Sequence, residues 1–400
     1  MTGTERRKQK ILQRRVERRA ARRAANNRPF DDFQTVFSYE HLYLAYLKQR
    51  SKLLKTRAGQ RFCINAPLNL LHIHTTLMAG NYQCAKFNTF VNRTRGKRRT
   101  IYVPSRPEDR VVLACLTQFA LTPVLSRSLI YDNCSGLEQR GVSFAARRAQ
   151  KHLRDQFRRC GSGGYALVFD IKDFYQSIPR KWLYIILRRH FKDESIVRLT
   201  AQACEMFGDN IGLGVGPIFS QILAQAYSNR IDHLIKEELR IDGYVRYGDD
   251  GIIIHESKEY LQYCLARLKK LTGLMKLQFN WKKTHIVRLT HGWRWLKIRW
   301  WMEEDGKIVK KLNPDVVTHY RQKFKKLRAL LDRGETTREY IAKLWYCWKN
   351  LTGTKHREGR VLPFNYECHF ARLRMAELIY NLFGEWEGYP DALYQAARGW

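Results

Sequence analysis

Tyr247-Gly248-Asp249-Asp250 lies between the apolar runs Gly243-Tyr244-Val245 and Ile252-Ile253-Ile254. Ile, Val and Tyr favour strands, and Gly248 and Gly251 bracket the acids as a tight hairpin requires. Two carboxylates a few ångströms apart raise each other's pKa unless a cation neutralises them, so the hairpin tip calls for a divalent metal. A solvated Asp-Asp turn would have the same local sequence. A third acid decides between the two.

That acid is Asp170, which follows the apolar run Tyr165-Ala166-Leu167-Val168-Phe169, read as a buried strand. A carboxylate leaving one strand and a carboxylate pair on a neighbouring hairpin can jointly hold two Mg²⁺ ions. Such a pair of ions activates a 3′-hydroxyl and stabilises leaving pyrophosphate in nucleotidyl transfer. Phe169-Asp170-Ile171, Gly212-Leu213-Gly214-Val215-Gly216-Pro217-Ile218-Phe219-Ser220-Gln221 and Tyr247-Gly248-Asp249-Asp250 occur in this order. They resemble motifs A, B and C of the reverse transcriptases. The resemblance implies an α+β right-hand polymerase with fingers, a palm built on an antiparallel sheet and a helical thumb. It also implies Asp170, Asp249 and Asp250 as catalytic ligands of two Mg²⁺, or Mn²⁺ in their place, with Ile171 as an additional ligand through its carbonyl.

Outside the palm, Arg98-Arg99-Thr100-Ile101-Tyr102-Val103-Pro104 and Glu108-Asp109-Arg110-Val111-Val112 look like the fingers segment that grips a triphosphate. Arg110 and then Arg99 are the expected nucleotide-binding cations, with Lys97 and Arg98 beside the turn for template or primer. Leu277 to Thr284 is similar to motif D and contributes Lys283 to the template or primer. His291-Gly292-Trp293-Arg294-Trp295-Leu296 stands where the primer grip would be, with Trp293 as its contact. Tyr175, five residues after Asp170, occupies the place of an aromatic gate against the ribose 2′-hydroxyl, so deoxynucleotides are expected. Val215, Gly216 and Gln221 fall at motif B positions facing the incoming nucleotide, and the apolar Val215 implies low fidelity. Gln221, Ala224 and Gln225 are expected to face the template and nascent base pair from the helix under the active site, while Asp232 is expected to cap or pair with a basic neighbour.

Ser220-Gln221 and Ile130-Tyr131-Asp132 resemble the bacterial branch that holds diversity-generating retroelement, group II intron-like and defence-associated enzymes. The expected function is copying of a dedicated noncoding RNA into DNA, serving antiphage defence. The alternatives are a mutagenic enzyme of a diversity-generating retroelement and a catalytically dependent or scaffold RNA-binding subunit of a ribonucleoprotein. Expected partners are the RNA template, a DNA primer or product, and an accessory protein or second copy, in a bacterial or phage-encoded cytoplasmic setting.

The charge agrees: 73 basic against 37 acidic residues give +36, a surplus that repels itself unless a polyanion answers it. Residues 1–28 carry Arg14, Arg15, Arg18 and Arg19 among paired basics and form an expected RNA-binding extension. Expected divisions follow at 29–164 for fingers and the start of the palm, 165–305 for the palm, 306–384 for the thumb and 385–400 for a tail. Helices are expected from Tyr39, capped by Ser38, over 67–79, from Val111 to Leu125 and through 128–160, with two strands between Tyr82 and Val103. The nine cysteines are odd in number and contain no Cys-x-x-Cys, so neither a disulfide framework nor a zinc knuckle is indicated. No apolar run approaches the ~20 residues that span a bilayer, and no membrane partner is expected.

Overall fold

The computed structural model describes residues 28–94, 97–208, 211–351, 375 and 377–384. Its described residues fall into two units. The first draws on Met1–Ala149, Phe169–Ile253 and Gln262–Thr284, and the second on Gln150–Val168, Ile254–Leu261 and His285–Trp400.

In the first unit, Ser38 accepts the His41 N–H at 3.3 Å and opens helix α1, Tyr39–Leu53. Leu42, Ala45, Tyr46, Gln49 and Leu53 recur at helical spacing and are its buried face. Helices α2, Arg57–Ile64, and α3, Ala66–Met78, follow. Strands β1, Asn88–Thr94, and β2, Lys97–Val103, pair antiparallel from Asn88 opposite Val103 to Thr94 opposite Lys97. A continuous helical run, Pro107–Ser128, comes next and begins with α4, Pro107–Leu116. Contrary to the sequence expectation, this run is long and apolar enough to cross a bilayer by length and composition. Val111, Val112, Cys115, Leu116, Leu121 and Leu125 are buried, so it is a core helix of the first unit.

The expected helix over 128–160 is shorter in the structure, where α5 spans Val142–Cys160. The preceding segment gives its main-chain groups to another element. Cys134 N–H donates to the Arg246 carbonyl at 2.9 Å, and Arg246 N–H to the Asp132 carbonyl at 3.1 Å. A backbone already paired along a strand cannot also close helical turns.

Strand β3, Tyr165–Lys172, is buried along almost its whole length, which explains its unbroken apolar run. Helices α6, Arg180–His190, α7, Glu194–Glu205, and α8, Ile218–His233, follow it. Strands β4, Tyr244–Tyr247, and β5, Asp250–His255, form the expected hairpin, with Tyr244 opposite Ile253 and Tyr247 opposite Asp250. After helix α9, Lys258–Leu274, β6, Gln278–Phe279, completes the order β4-β5-β3-β6. The first half of β3 pairs antiparallel with β7, His285–Arg288, in the second unit.

The second unit also holds an antiparallel sheet of β8, Trp293–Trp295, β9, Ile298–Met302, and β10, Ile308–Leu312. Trp293, Trp295, Trp300, Met302 and Val309 are buried in it. Helices α10, Pro314–Asp332, and α11, Arg338–Leu351, follow, and Phe324, Leu327, Ile341, Trp345, Ile379 and Phe383 share one apolar cluster. The strand pairs are antiparallel and alternate with helices along the chain, a mixed helix-and-sheet fold of the α+β class.

Candidate active site

The β4–β5 hairpin turns at Gly248, whose φ of +65° is a conformation glycine adopts without strain. Gly251 is required for a different reason: a Cβ there would lie 2.1 Å from the Phe169 ring on the neighbouring strand. Those two glycines let the acidic turn close and lie against β3. Ile171 N–H donates to the Asp249 carbonyl at 3.0 Å, tying the end of β3 to the turn and bringing Asp170, Asp249 and Asp250 together.

Burial raises the Asp250 carboxyl most, the charges of Asp249 and Asp170 add to it, and it is pushed up to about 8. Asp249 is also raised, first by burial and then by Asp170, with Lys283 and Arg99 working in the opposite direction. Lys283 Nζ lies 2.5 Å from Asp170 Oδ2, and Asn280 Nδ2 donates to Asp170 Oδ1 at 2.9 Å. Burial opposes the charge of Lys283, but the bond to Asp170 and the nearby acids raise its pKa above the ordinary lysine value.

Among the described residues no group of three or more His, Cys, Asp or Glu side chains is arranged to hold a metal ion. The two oxygens of Asp170 face Asn280 and Lys283. The three acids offer only hard oxygen donors, and they fit Mg²⁺ or Mn²⁺ rather than a soft-ligand metal.

A second charged group lies directly behind the turn. Arg246, fully buried on β4, donates to both oxygens of the equally buried Asp232 on α8, at 2.7 Å each. Its Nη1 reaches Gln225 Oε1 at 2.7 Å and the Gly248 carbonyl at 2.8 Å, while Tyr244 donates to Asp232 at 2.8 Å. Asp232 thus has the basic partner expected of it. Gln225 and Ala224 are fully buried and do not share the exposure of Gln221, which corrects their expected place facing a template. Arg246 and Asn280 were not anticipated; the one readable signal was an arginine inside an otherwise apolar strand.

The remaining expected site residues divide into several groups. Tyr175 is half-buried, its phenol pushed up to about 12 by burial and then by Asp249, and its carbonyl accepts Leu213 N–H at 2.8 Å. Val215 accepts Tyr102 N–H at 2.8 Å, and a Cβ on Gly216 would meet the Tyr102 carbonyl at 2.4 Å, so motif B packs backbone to backbone against β2. Arg99 and Arg98 are exposed on β2, and successive strand positions point to opposite faces; Arg99 is the one whose charge reaches Asp249. Arg110 lines a separate cleft of about 210 Å³ with Gln49, Lys52, Tyr102, Gly216 and Pro217. Lys283, expected on template or primer, instead faces Asp170. Trp293 is corrected: only 1% exposed, its ring is packed inside the second unit and offers no face for stacking. Arg14, Arg15, Arg18 and Arg19, and the side chain of Lys97, lie outside the described residues.

Residues 92–340 match the family model described as reverse transcriptase (RNA-dependent DNA polymerase). No curated protein matches the chain. Among solved structures, the chain is similar to the telomerase of Candida albicans in complex with a TWJ fragment of telomeric RNA. That match has 12% identity and a TM-score of 0.46, covering 78% of this chain and 64% of that one. It is also similar to the apo telomerase of Candida tropicalis truncated from its C-terminal domain, at 15% identity and a TM-score of 0.43, covering 62% and 60%. The chain thus spans less than two thirds of either.

Proposed function

Because the chain belongs to the reverse transcriptase (RNA-dependent DNA polymerase) family, with its right-hand α+β fold, we propose that it copies RNA into DNA at Asp170, Asp249 and Asp250. The observation that carries this reading is the convergence of buried Asp170 with half-buried Asp249 and Asp250, beside the Lys283 ammonium that pairs with Asp170. Two Mg²⁺ ions held by the three acids would activate a primer 3′-hydroxyl and stabilise the leaving pyrophosphate. Asp170, Asp249 and Asp250 would hold them, with the Ile171 carbonyl as a further oxygen donor.

The protein's own groups supply the rest. Arg99, whose charge already acts on Asp249, is positioned to meet the triphosphate. Tyr175, five residues after Asp170, would set an aromatic ring against the 2′-hydroxyl, and a ring excludes what a carboxylate would bind, so deoxynucleotides are the substrates of this reading. The template is a dedicated structured RNA held in part by the basic residues 1–28, and the setting is bacterial antiphage defence in the cytoplasm. The likeness of Ser220-Gln221 and Ile130-Tyr131-Asp132 to that branch supports the biological role.

The test is to purify the protein with the RNA that accompanies it, supply Mg²⁺ with deoxynucleotides or ribonucleotides separately, and sequence the product. DNA copied from one bound RNA is expected. Product from ribonucleotides alone would overturn the role of Tyr175, and no product from either set would overturn the polymerase reading.

A further inference from the structure

The segment before α5 lies along β4 through Cys134 and Arg246, beside the catalytic turn. Three residues before Cys134, Tyr131 is 61% exposed. The Arg148 guanidinium lies 4.8 Å from its ring centroid and that of Arg140 5.5 Å. Phe144 meets Tyr131 edge to face at 5.7 Å, and Arg140 and Arg147 lie 5.7 and 5.9 Å from the Phe144 ring. Two rings and three guanidiniums therefore share one ledge of the first unit.

The charges of this ledge do not balance. Asp132 is its carboxylate, and both Arg148 and Lys236 are already paired with it. Arg140 donates to the main-chain carbonyls of Asn133 and Ile130, while Arg147 is exposed. Among the described residues, Arg140 and Arg147 thus bring two positive charges that no acid of the cluster answers. A ring whose task was only to pin the loop would be buried; Tyr131 is mostly open to solvent.

We propose that Tyr131, Phe144, Arg140 and Arg147 form a second nucleic-acid site, in which an unpaired nucleotide stacks on the aromatic and guanidinium faces while its flanking phosphates rest on the arginines. Exposed π-faces serve an unpaired base, because duplex pairing keeps base faces covered. Aromatic stacking with cations beside it is the arrangement that holds single strands without reading their sequence. An acidic peptide would use the cations and leave the rings idle. The proposal rests on the polymerase reading and specifies where that enzyme holds an unpaired part of its nucleic acid.

The experiment measures binding of fluorescent oligo(rU), oligo(dU) and polyglutamate to the full chain in EDTA, without nucleotides. Tyr131→Leu is expected to weaken both oligonucleotides about tenfold and to leave polyglutamate unchanged. Arg147→Gln is expected to reduce the salt slope of oligonucleotide binding by about one. Tyr131→Trp, which keeps a stacking ring, should restore the affinity and so separates stacking from any loss of fold. Unchanged oligonucleotide affinity in Tyr131→Leu, equal loss for polyglutamate, or failure of Tyr131→Trp to rescue would each overturn the site. A difference between the oligo(rU) and oligo(dU) arms would assign the ledge to RNA or DNA. No metal or synthesis enters the assay, so an inert polymerase can still pass it and an active one can fail it.

Discussion

Two clusters of charge adjoin the same hairpin turn, and they are resolved in opposite ways. Behind the turn, Arg246 and Asp232 are both fully buried, meet through two short bonds, and have further partners in Gln225, Gly248 and Tyr244. In front of it, three carboxylates share one partly exposed ammonium, and two of them are pushed toward the protonated form. Burying charge is tolerable only when it is paired and hydrogen-bonded. The rear cluster meets that condition from within the chain; the front cluster has Lys283 against Asp170 and raised carboxyls at Asp249 and Asp250, and on the proposed reading divalent cations would complete it.

The largest effect expected of a break is at the front. Asp249→Asn removes one charge of the proposed metal-holding set and should lower DNA synthesis on the order of a thousandfold or more, as losing several kcal/mol of transition-state stabilisation requires. Unfolding by denaturant should be unchanged or slightly delayed, since a repulsive carboxylate has gone. Synthesis surviving in this variant would place the chemistry elsewhere.

At the rear the expectation is reversed. Arg246→Met leaves Asp232 charged and unpaired in the core and should cost about 3–5 kcal/mol, read as a lower denaturation midpoint. Arg246→Met with Asp232→Leu removes both charges and should recover much of that loss. Synthesis should not recover with it, because the Gly248 carbonyl has lost the donor that holds the turn. If the double variant is as unstable as the single one, the pair is not the self-contained unit described here.

Much of this contrast could be read from residue order, and some could not. The acids, their strands and the hairpin were legible because period, turn glycines and charge all spoke in the same short windows. The apolar run of β3 signalled burial, and Ser38 signalled a helix start. Gln225 and Trp293 were misplaced because a helix face or a ring near a functional motif is assigned by analogy, whereas its exposure depends on what packs over it. The irregular stretch before α5 escaped because its partner, Arg246, is more than a hundred residues away in sequence. Asn280 and Lys283 lie in a turn whose aim toward Asp170 depends on the β3–β6 pairing, which no local pattern encodes.

The smallest effect sharpens the comparison most, because it tests whether Lys283 stabilises the acids or merely occupies the place of a metal. Lys283 is nearly half exposed, so its Coulomb energy is screened and is worth about 1 kcal/mol rather than the value a buried pair would have. Lys283→Met would free Asp170 Oδ2 and leave the turn more negative, and both changes favour a divalent ion. Mn²⁺ titrated into the nucleic-acid-free protein and followed by electron paramagnetic resonance should then bind about fivefold more tightly. Weaker binding would mean that Lys283 orients Asp170 for the ion, making it part of the site. Tighter binding would mean that the ammonium yields its place when the ion enters, as the uncompensated front cluster implies.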